Sequence, residues 1–424
     1  MLKTTKNHTY SGSYDDSEFL FQVAPSQRNY LQTILAKSEP YLKQLFNKPS
    51  IYKKFLTKLH YINNLSDIKT VIAEFSKTYY NFTKELYQNQ YRHNKKTDAF
   101  IKNKKSTLKV IWGDCYDVLK QMKSESIHCM VTSPPYYNAR AYSRWENIND
   151  YLAEMKKILT QCYRVLDNHR VFVFNVGDIF DNDNLATTSV WGKRRLPLGA
   201  YFITLFEEIG FTFVDDIIWD KGEVQSERHK NGDRPYPFYQ YPINCYEHIL
   251  IFHKHRLDTT RYPCPICGTL NVNGNSYTEK GLKSWECKNK DCFVRSKSNR
   301  GKRFSAKTYF TQAKKKNSPS SIDKDFIYAW RRDIRKIKPV IKINCKGENT
   351  LGHSAPYPEE IPEFAIKMFS YKNETILDPF SGLGTSLKVA SKLGRTGVGI
   401  EKDLTLKKSV YKFIQNKNLT ELSI

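Results

Sequence analysis

The stretch Thr375–Glu401, TILDPFSGLGTSLKVASKLGRTGVGIE, decides the fold. A short β-branched strand ends at Asp378, and DPFSGLGTS (Asp378–Ser386) then turns through Gly382 and Gly384 into the start of a helix, SLKVASKLG. The chain returns as a second strand, TGVGIE, that closes on Glu401. Strand, glycine turn, helix and strand make a βαβ unit of a parallel sheet. Glycines at such a turn let backbone N–H groups approach a ligand at the helix N-terminus. An acid closing the following strand, about twenty residues on, stands where it can accept both hydroxyls of a ribose. The two features together predict an adenosyl cofactor.

Working outward, the same rhythm begins at Leu108. LKVIWGD, IHCMVTSPPYY, VFVFNVGD, FVDDIIWDK and EHILIFHK are short β-branched runs separated by stretches of helical spacing. The expected architecture is α/β, a doubly wound and mostly parallel sheet built from two separated parts of the chain. In such sheets ligands sit beyond the carboxyl ends of the strands, so the strand-closing residues matter most. They are Asp114, Ser133-Pro134-Pro135-Tyr136, Asp178, Asp378-Pro379-Phe380 and Glu401. Packing alone does not call for a rim of four carboxylates and a proline-locked turn.

TSPPYY (Thr132–Tyr137) carries the most specific chemistry. Two prolines fix the backbone after a strand and leave the Pro134 carbonyl able to accept a hydrogen bond. An exocyclic amino group conjugated with its ring is a poor nucleophile. Acceptors from Ser133 Oγ and the Pro134 carbonyl can orient its hydrogens so that the lone pair faces an electrophile. Tyr136 offers a flat face for a base extruded from a duplex.

These motifs, with HSAPYPEEIPEFAIKMFS before DPFSGLGTS, resemble the beta class of DNA amino-methyltransferases, the N4-cytosine and N6-adenine methylases of restriction–modification systems, over about Leu108 to Glu401. The resemblance implies a methyltransferase that uses S-adenosylmethionine. It implies cofactor contacts from Asp378, Phe380, Gly382, Gly384 and Glu401, Asp114 near the adenine, and catalysis by Ser133, Pro134, Pro135 and Tyr136. In that family a serine at the first catalytic position goes mostly with N4-cytosine and an aspartate mostly with N6-adenine, so Ser133 favours cytosine. A cytosine-C5 enzyme would need a Pro-Cys nucleophile; Pro263-Cys264 supplies one only superficially, because Cys264 belongs to a cysteine cluster. Rival readings are methylation of adenine N6, of RNA or of a protein amide, and a non-catalytic zinc-bearing DNA-binding protein.

That cluster is Cys264-x2-Cys267 and Cys287-x4-Cys292, close to the spacing of a four-cysteine structural zinc site. It opens a basic, loop-rich insert with RSKSNRGKRFSAKTYFTQAKKK (Arg295–Lys316) and RRDIRKIKPVIK (Arg331–Lys342), both suited to phosphate contact and base-edge reading. Family members carry their target-recognition region in this place. The expected organisation is a helical N-terminal extension and linker over 1–107, with helical spacing from about Ser26 to Arg92 and a basic loop over His93–Thr107. A catalytic half follows over 108–255, then a zinc-ribbon-like recognition insert over 256–352 and a cofactor half over 353–424.

The 424 residues hold 68 Lys and Arg against 43 Asp and Glu, a formal charge of +25, which makes double-stranded DNA the natural partner. Nine cysteines, with four in CxxC-like pairs, fit a reduced compartment rather than a disulfide frame. No apolar run approaches a membrane span and no apolar region follows the basic start, so the expected location is the cytoplasm. A monomer or weak dimer is expected, with cleavage left to a separate restriction endonuclease.

Overall fold

The computed structural model describes residues 93–138, 145–180, 195–222, 245–254, most of 264–305, 322–340 and 357–424 apart from 416 and 417. The expected N-terminal helices, the basic run beyond Ser305 and the first residues of HSAPYP lie outside the described residues. The chain divides into two compact units. One is Tyr87–His255 with Ser318–Ile424, and the other holds the described residues of Arg256–Asn317.

The first unit is organised by one nine-stranded sheet. Its strands are β1 (Leu108–Trp112), β2 (Ile127–Thr132), β3 (Leu166–Val176), β6 (Phe211–Asp220), β7 (Tyr246–Lys254), β11 (Ile334–Lys336), β12 (Thr375–Asp378), β13 (Thr396–Glu401) and β14 (Leu419–Ser423). A two-residue pair, β4 (Ile179–Phe180) with β5 (Arg195–Leu196), lies apart from it. The order is β11-β6-β7-β3-β2-β12-β13-β1-β14. Every neighbouring pair is parallel except the two that involve β7, which runs antiparallel to both β3 and β6. The carboxyl ends of the parallel strands therefore share one edge with the amino end of β7.

Alternation along the central strands explains why both faces are covered. In β3, Val173 belongs to a cluster with Cys129, Val131, Ile249, Ile251 and Phe364. Its neighbours Phe172 and Phe174 face the opposite way, against Phe206, and Phe206 stacks on Phe252 with centroids 3.8 Å apart. The helices Ile148–Val165 and Leu198–Ile209 thus cover one face, and Glu360–Phe369 and Thr385–Lys392 the other.

Buried cations close helix C-termini, whose last carbonyls lack intrahelical partners. Lys109 Nζ donates to the carbonyls of Phe100, Ile101 and Asn103 at 2.7, 2.6 and 2.5 Å. Lys254 Nζ donates to Tyr163 and Leu166 carbonyls at 2.7 and 2.6 Å. The Arg164 guanidinium reaches the carbonyls of Leu119 and Met122 at 2.5 and 2.9 Å. The first of these corrects one expectation: the stretch read as a basic loop holds the helix Lys95–Lys102, capped by Asn94 at its start and by Lys109 at its end. Lysine density hides a helix whose buried residues are Thr97 and Ile101 alone.

In the second unit β8 (Val272–Tyr277), β9 (Lys283–Cys287) and β10 (Arg303–Ser305) form an antiparallel sheet over a core of Cys264, Val272, Trp285, Cys287, Cys292 and Phe304. As a compact unit it stops at Asn317, short of the expected boundary at 352. The helix Lys324–Ala329 and β11 belong to the main sheet, because Trp330 and Ile337 are core residues there despite their basic neighbours.

Candidate active site

The shared sheet edge brings the rim residues together. Gly382 and Gly384 both have positive φ, 50° and 84°. At Gly384 a Cβ would be strained as well as 3.0 Å from Ile414 Cδ1. The helix Thr385–Lys392 starts there with no side-chain cap, so its first amides remain available. Glu401 Oε2 accepts from Gly382 N at 2.9 Å and Oε1 from Asp403 N at 2.9 Å. A carboxylate has about four acceptor sites, so this one can also take a ribose diol. Burial raises the Glu401 pKa against the pull of those amides. Phe380 is half-buried beside the turn. The donor and acceptor set therefore fits an adenosyl cofactor.

Asp378 sits at the rim but points inward and is only 1% exposed. Its Oδ1 accepts from Thr132 Oγ1 at 2.5 Å and from Phe380 N at 3.1 Å, while Oδ2 accepts from Ser386 Oγ and, at 3.4 Å, from Tyr357 Oη. Burial lifts its pKa to about 6 against these donors. One carboxylate thus ties the glycine turn, the helix after it and the end of β2 together. Asp114 is occupied too: it caps the helix Cys115–Gln121 through Tyr116 N at 2.9 Å and Asp117 N at 3.4 Å.

Directly beyond Thr132 comes the proline turn. Pro134 is buried, and Tyr151 Oη donates to the Pro135 carbonyl at 3.0 Å, which pins the turn to the helix Ile148–Val165. Ser133 Oγ is 3.4 Å from Tyr136 Oη, a long contact, and Tyr136 Oη donates to Glu247 Oε2 at 2.8 Å. Glu247 is a residue the sequence reading missed. Inspection of strand carboxyl ends passes over it, because it stands at the amino end of the antiparallel β7. Recognising EHILIFHK as a reversed strand would have found it.

Asp178, the remaining rim acid, flanks His248. His248 Nδ1 is 2.7 Å from Asp216 Oδ2, and Nε2 is 3.6 Å from Asp178 Oδ1. Burial lowers the imidazole pKa, but the two carboxylates outweigh it and raise the value from 6.5 to about 9. A folded-state value above the unfolded one gives stability that is complete below about pH 6.5 and lost as pH rises toward 9. The expected result is a melting-temperature gap between wild type and His248→Gln that is widest near pH 6 and closes above pH 9. Thermal melts across that range check it, and a gap independent of pH would refute the pairing.

In the second unit Cys264, Cys267, Cys287 and Cys292 converge, with all four sulfurs within 4.8 Å of one another. Cys267 Sγ and Cys287 Sγ are 3.7 Å apart, and tetrahedral zinc–thiolate bonds of about 2.3 Å require sulfur separations of about 3.8 Å. The backbone N–H of Ile266 points at Cys264 Sγ, 3.4 Å away, a donor suited to a thiolate. The residues fit a structural metal site.

The family model described as DNA methylase, covering N6 and N4 methyltransferases, matches residues 127–412. The sequence is 39% identical to the type II beta methyltransferase M.BslI of Bacillus sp. (strain NEB-606), over 76% of this chain but only 29% of that protein. It is 26% identical to the type II methyltransferase M.MjaI of Methanocaldococcus jannaschii, over 70% of this chain and 88% of the relative. Among solved structures, a candidate DNA modification methylase of Thermus thermophilus aligns with 75% of this chain and 100% of its own at 22% identity, with a TM-score of 0.47.

Proposed function

We propose, for a chain that belongs to the DNA amino-methyltransferase family of restriction–modification systems, that it transfers a methyl group from S-adenosylmethionine to the exocyclic N4 of cytosine in a short duplex DNA sequence. The observation that carries this reading is the 2.5 Å bond from Thr132 to Asp378, which joins the proline turn to the glycine turn at one sheet edge. The site thereby sets an amino-group acceptor beside a nucleoside-binding turn.

Gly382, Gly384 and Phe380 would hold the cofactor, with Glu401 on its ribose and Asp114 near its adenine. Asp378 acts from behind by fixing the turn. Bound S-adenosylmethionine would supply an electrophilic methyl group. The protein's own part is orientation: Ser133 Oγ and the Pro134 carbonyl accept from the amino hydrogens of the extruded base, and Tyr136 stacks on its ring. Pro135, held by Tyr151, keeps those acceptors in place. No covalent enzyme–base bond is needed.

Ser133, in place of the aspartate common among adenine methylases, favours cytosine; N6-adenine is the second reading. The four cysteines would bind structural zinc and so shape a basic recognition module, and a charge of +25 favours duplex DNA as its partner. A cognate endonuclease would be a separate protein. Among the described residues no helix is long and apolar enough to cross a membrane.

The test is to incubate the purified chain with plasmid DNA and S-adenosylmethionine, digest to nucleosides and identify the product by mass spectrometry. N4-methylcytosine is expected. N6-methyladenine would overturn the reading of Ser133 and keep the rest. Absence of either, with no cofactor binding in calorimetry, would leave a DNA-binding protein without catalysis.

A further inference from the structure

Glu247 receives donors from three separate elements. Tyr136 Oη donates to Oε2 at 2.8 Å from the turn after β2, and Asn175 Nδ2 donates to the same oxygen at 3.0 Å from β3. Lys221 Nζ pairs with Oε1 from the end of β6. The side chain is 14% exposed. Gly177, next along from β3, leaves room for it: a Cβ there would stand 2.8 Å from Glu247 Cγ. If this position served packing alone, an apolar residue would fill it without the cost of desolvating a carboxylate. Instead the charge is neutralised by Lys221 at one oxygen, and the other oxygen accepts from Asn175 and from a tyrosine hydroxyl at the catalytic turn.

We propose that Glu247 is a positioning residue of the methyl-transfer site, a carboxylate on β7, itself held by Asn175 and Lys221, that tethers the Tyr136 hydroxyl so that the extruded base stacks in register with the Ser133 and Pro134 acceptors. This rests on the reading of function given above but is indifferent to whether cytosine or adenine is the target. Ring placement matters because a displacement of about 1 Å costs on the order of 10²-fold in rate. The prolines fix the backbone of the turn, whereas the ring at its end needs a tether of its own. Glu247 supplies it from a strand that also carries His248 between Asp178 and Asp216, so the tether stands on rigid ground.

The experiment is a double-mutant cycle over Glu247→Ala, Glu247→Gln, Tyr136→Phe and their combinations, read as single-turnover methyl transfer with labelled S-adenosylmethionine. Glu247→Ala is expected to lower the single-turnover rate by about 10²-fold with cofactor affinity, read by calorimetry, unchanged. Glu247→Gln, which keeps an acceptor and the shape, is expected to recover about tenfold of that loss. In the Tyr136→Phe background, removing Glu247 should cost little more, since the hydroxyl it acts through is gone. Equal losses in both backgrounds would overturn the proposal, and the Gln variant keeps the cycle readable if the Ala variant folds poorly. A crystal structure of Glu247→Ala gives a check without activity: the Tyr136 ring is expected to leave its position, and an unmoved ring overturns the proposal. A wild-type chain that transfers no methyl group while the ring does move refutes the function and leaves the tether standing.

Discussion

Replacing Ser133 by alanine is expected to slow single-turnover methyl transfer by about 10²–10³-fold, the range seen when one preorganised hydrogen-bonding group is removed from a reacting centre. DNA affinity and melting temperature should stay close to wild type. Little of the structure depends on the hydroxyl: its described contact is the 3.4 Å approach to Tyr136 Oη, too long to hold the ring. The backbone of the turn is secured elsewhere, by Thr132 on Asp378 before it and by Tyr151 on Pro135 after it. Alanine therefore removes one acceptor and leaves the geometry intact. The loss should fall on kcat and on kcat/KM by the same factor, as for an interaction made chiefly in the transition state. Quenched-flow measurement with labelled cofactor, paired with a gel-shift titration, separates the two effects. An unchanged rate would leave the Pro134 carbonyl as the acceptor that matters and remove Ser133 from the mechanism.

The parts legible in the sequence were those whose chemistry is local. DPFSGLGTS shows its turn because glycine takes φ of 50° and 84° with no Cβ to clash, and TSPPYY shows its rigidity because proline states φ outright. What resisted reading depends on strand direction and on partners far apart in the chain. β7 looks like any other β-branched strand, and its reversal appears only in its pairing with β3 and β6. Glu247 was hidden with it. β14 escaped notice because Leu419–Ser423 is short and mostly polar, with Leu419 its one buried residue. Asp378 was found, but its partners were not. A strand-closing acid at a glycine turn reads as a ligand contact, whereas both its oxygens are engaged by Thr132, Phe380, Ser386 and Tyr357. Lysine-rich composition misled in the other direction. Lys109 and Lys254 count toward a basic surface, yet both are fully buried on helix C-termini.

Mutating the paired cysteines Cys264 and Cys267 to serine is expected to abolish the folded state of the second unit and with it most DNA binding, while cofactor binding by the first unit persists. Among the described residues, the apolar core of the second unit holds Val272, Trp285 and Phe304 around the cysteines themselves, with Ile266 and Val294 packed at its margin. The cysteines stand at the centre of that core, and ordering the strands around them costs about 1–2 kcal/mol per residue for the backbone alone. A zinc ion held by four thiolates contributes on the order of 10–16 kcal/mol at neutral pH, and that free energy is folding free energy. The prediction therefore has three readouts: about one zinc per chain by atomic emission, loss of that metal in the double variant, and a switch of Trp285 from a buried to a solvated fluorescence spectrum on chelation. Calorimetry with S-adenosylmethionine should be unaffected, because Gly382, Gly384 and Glu401 lie in the other compact unit. A metal-free chain whose Trp285 stays buried would show that the strands fold unaided and that the four sulfurs are reduced thiols brought close by packing.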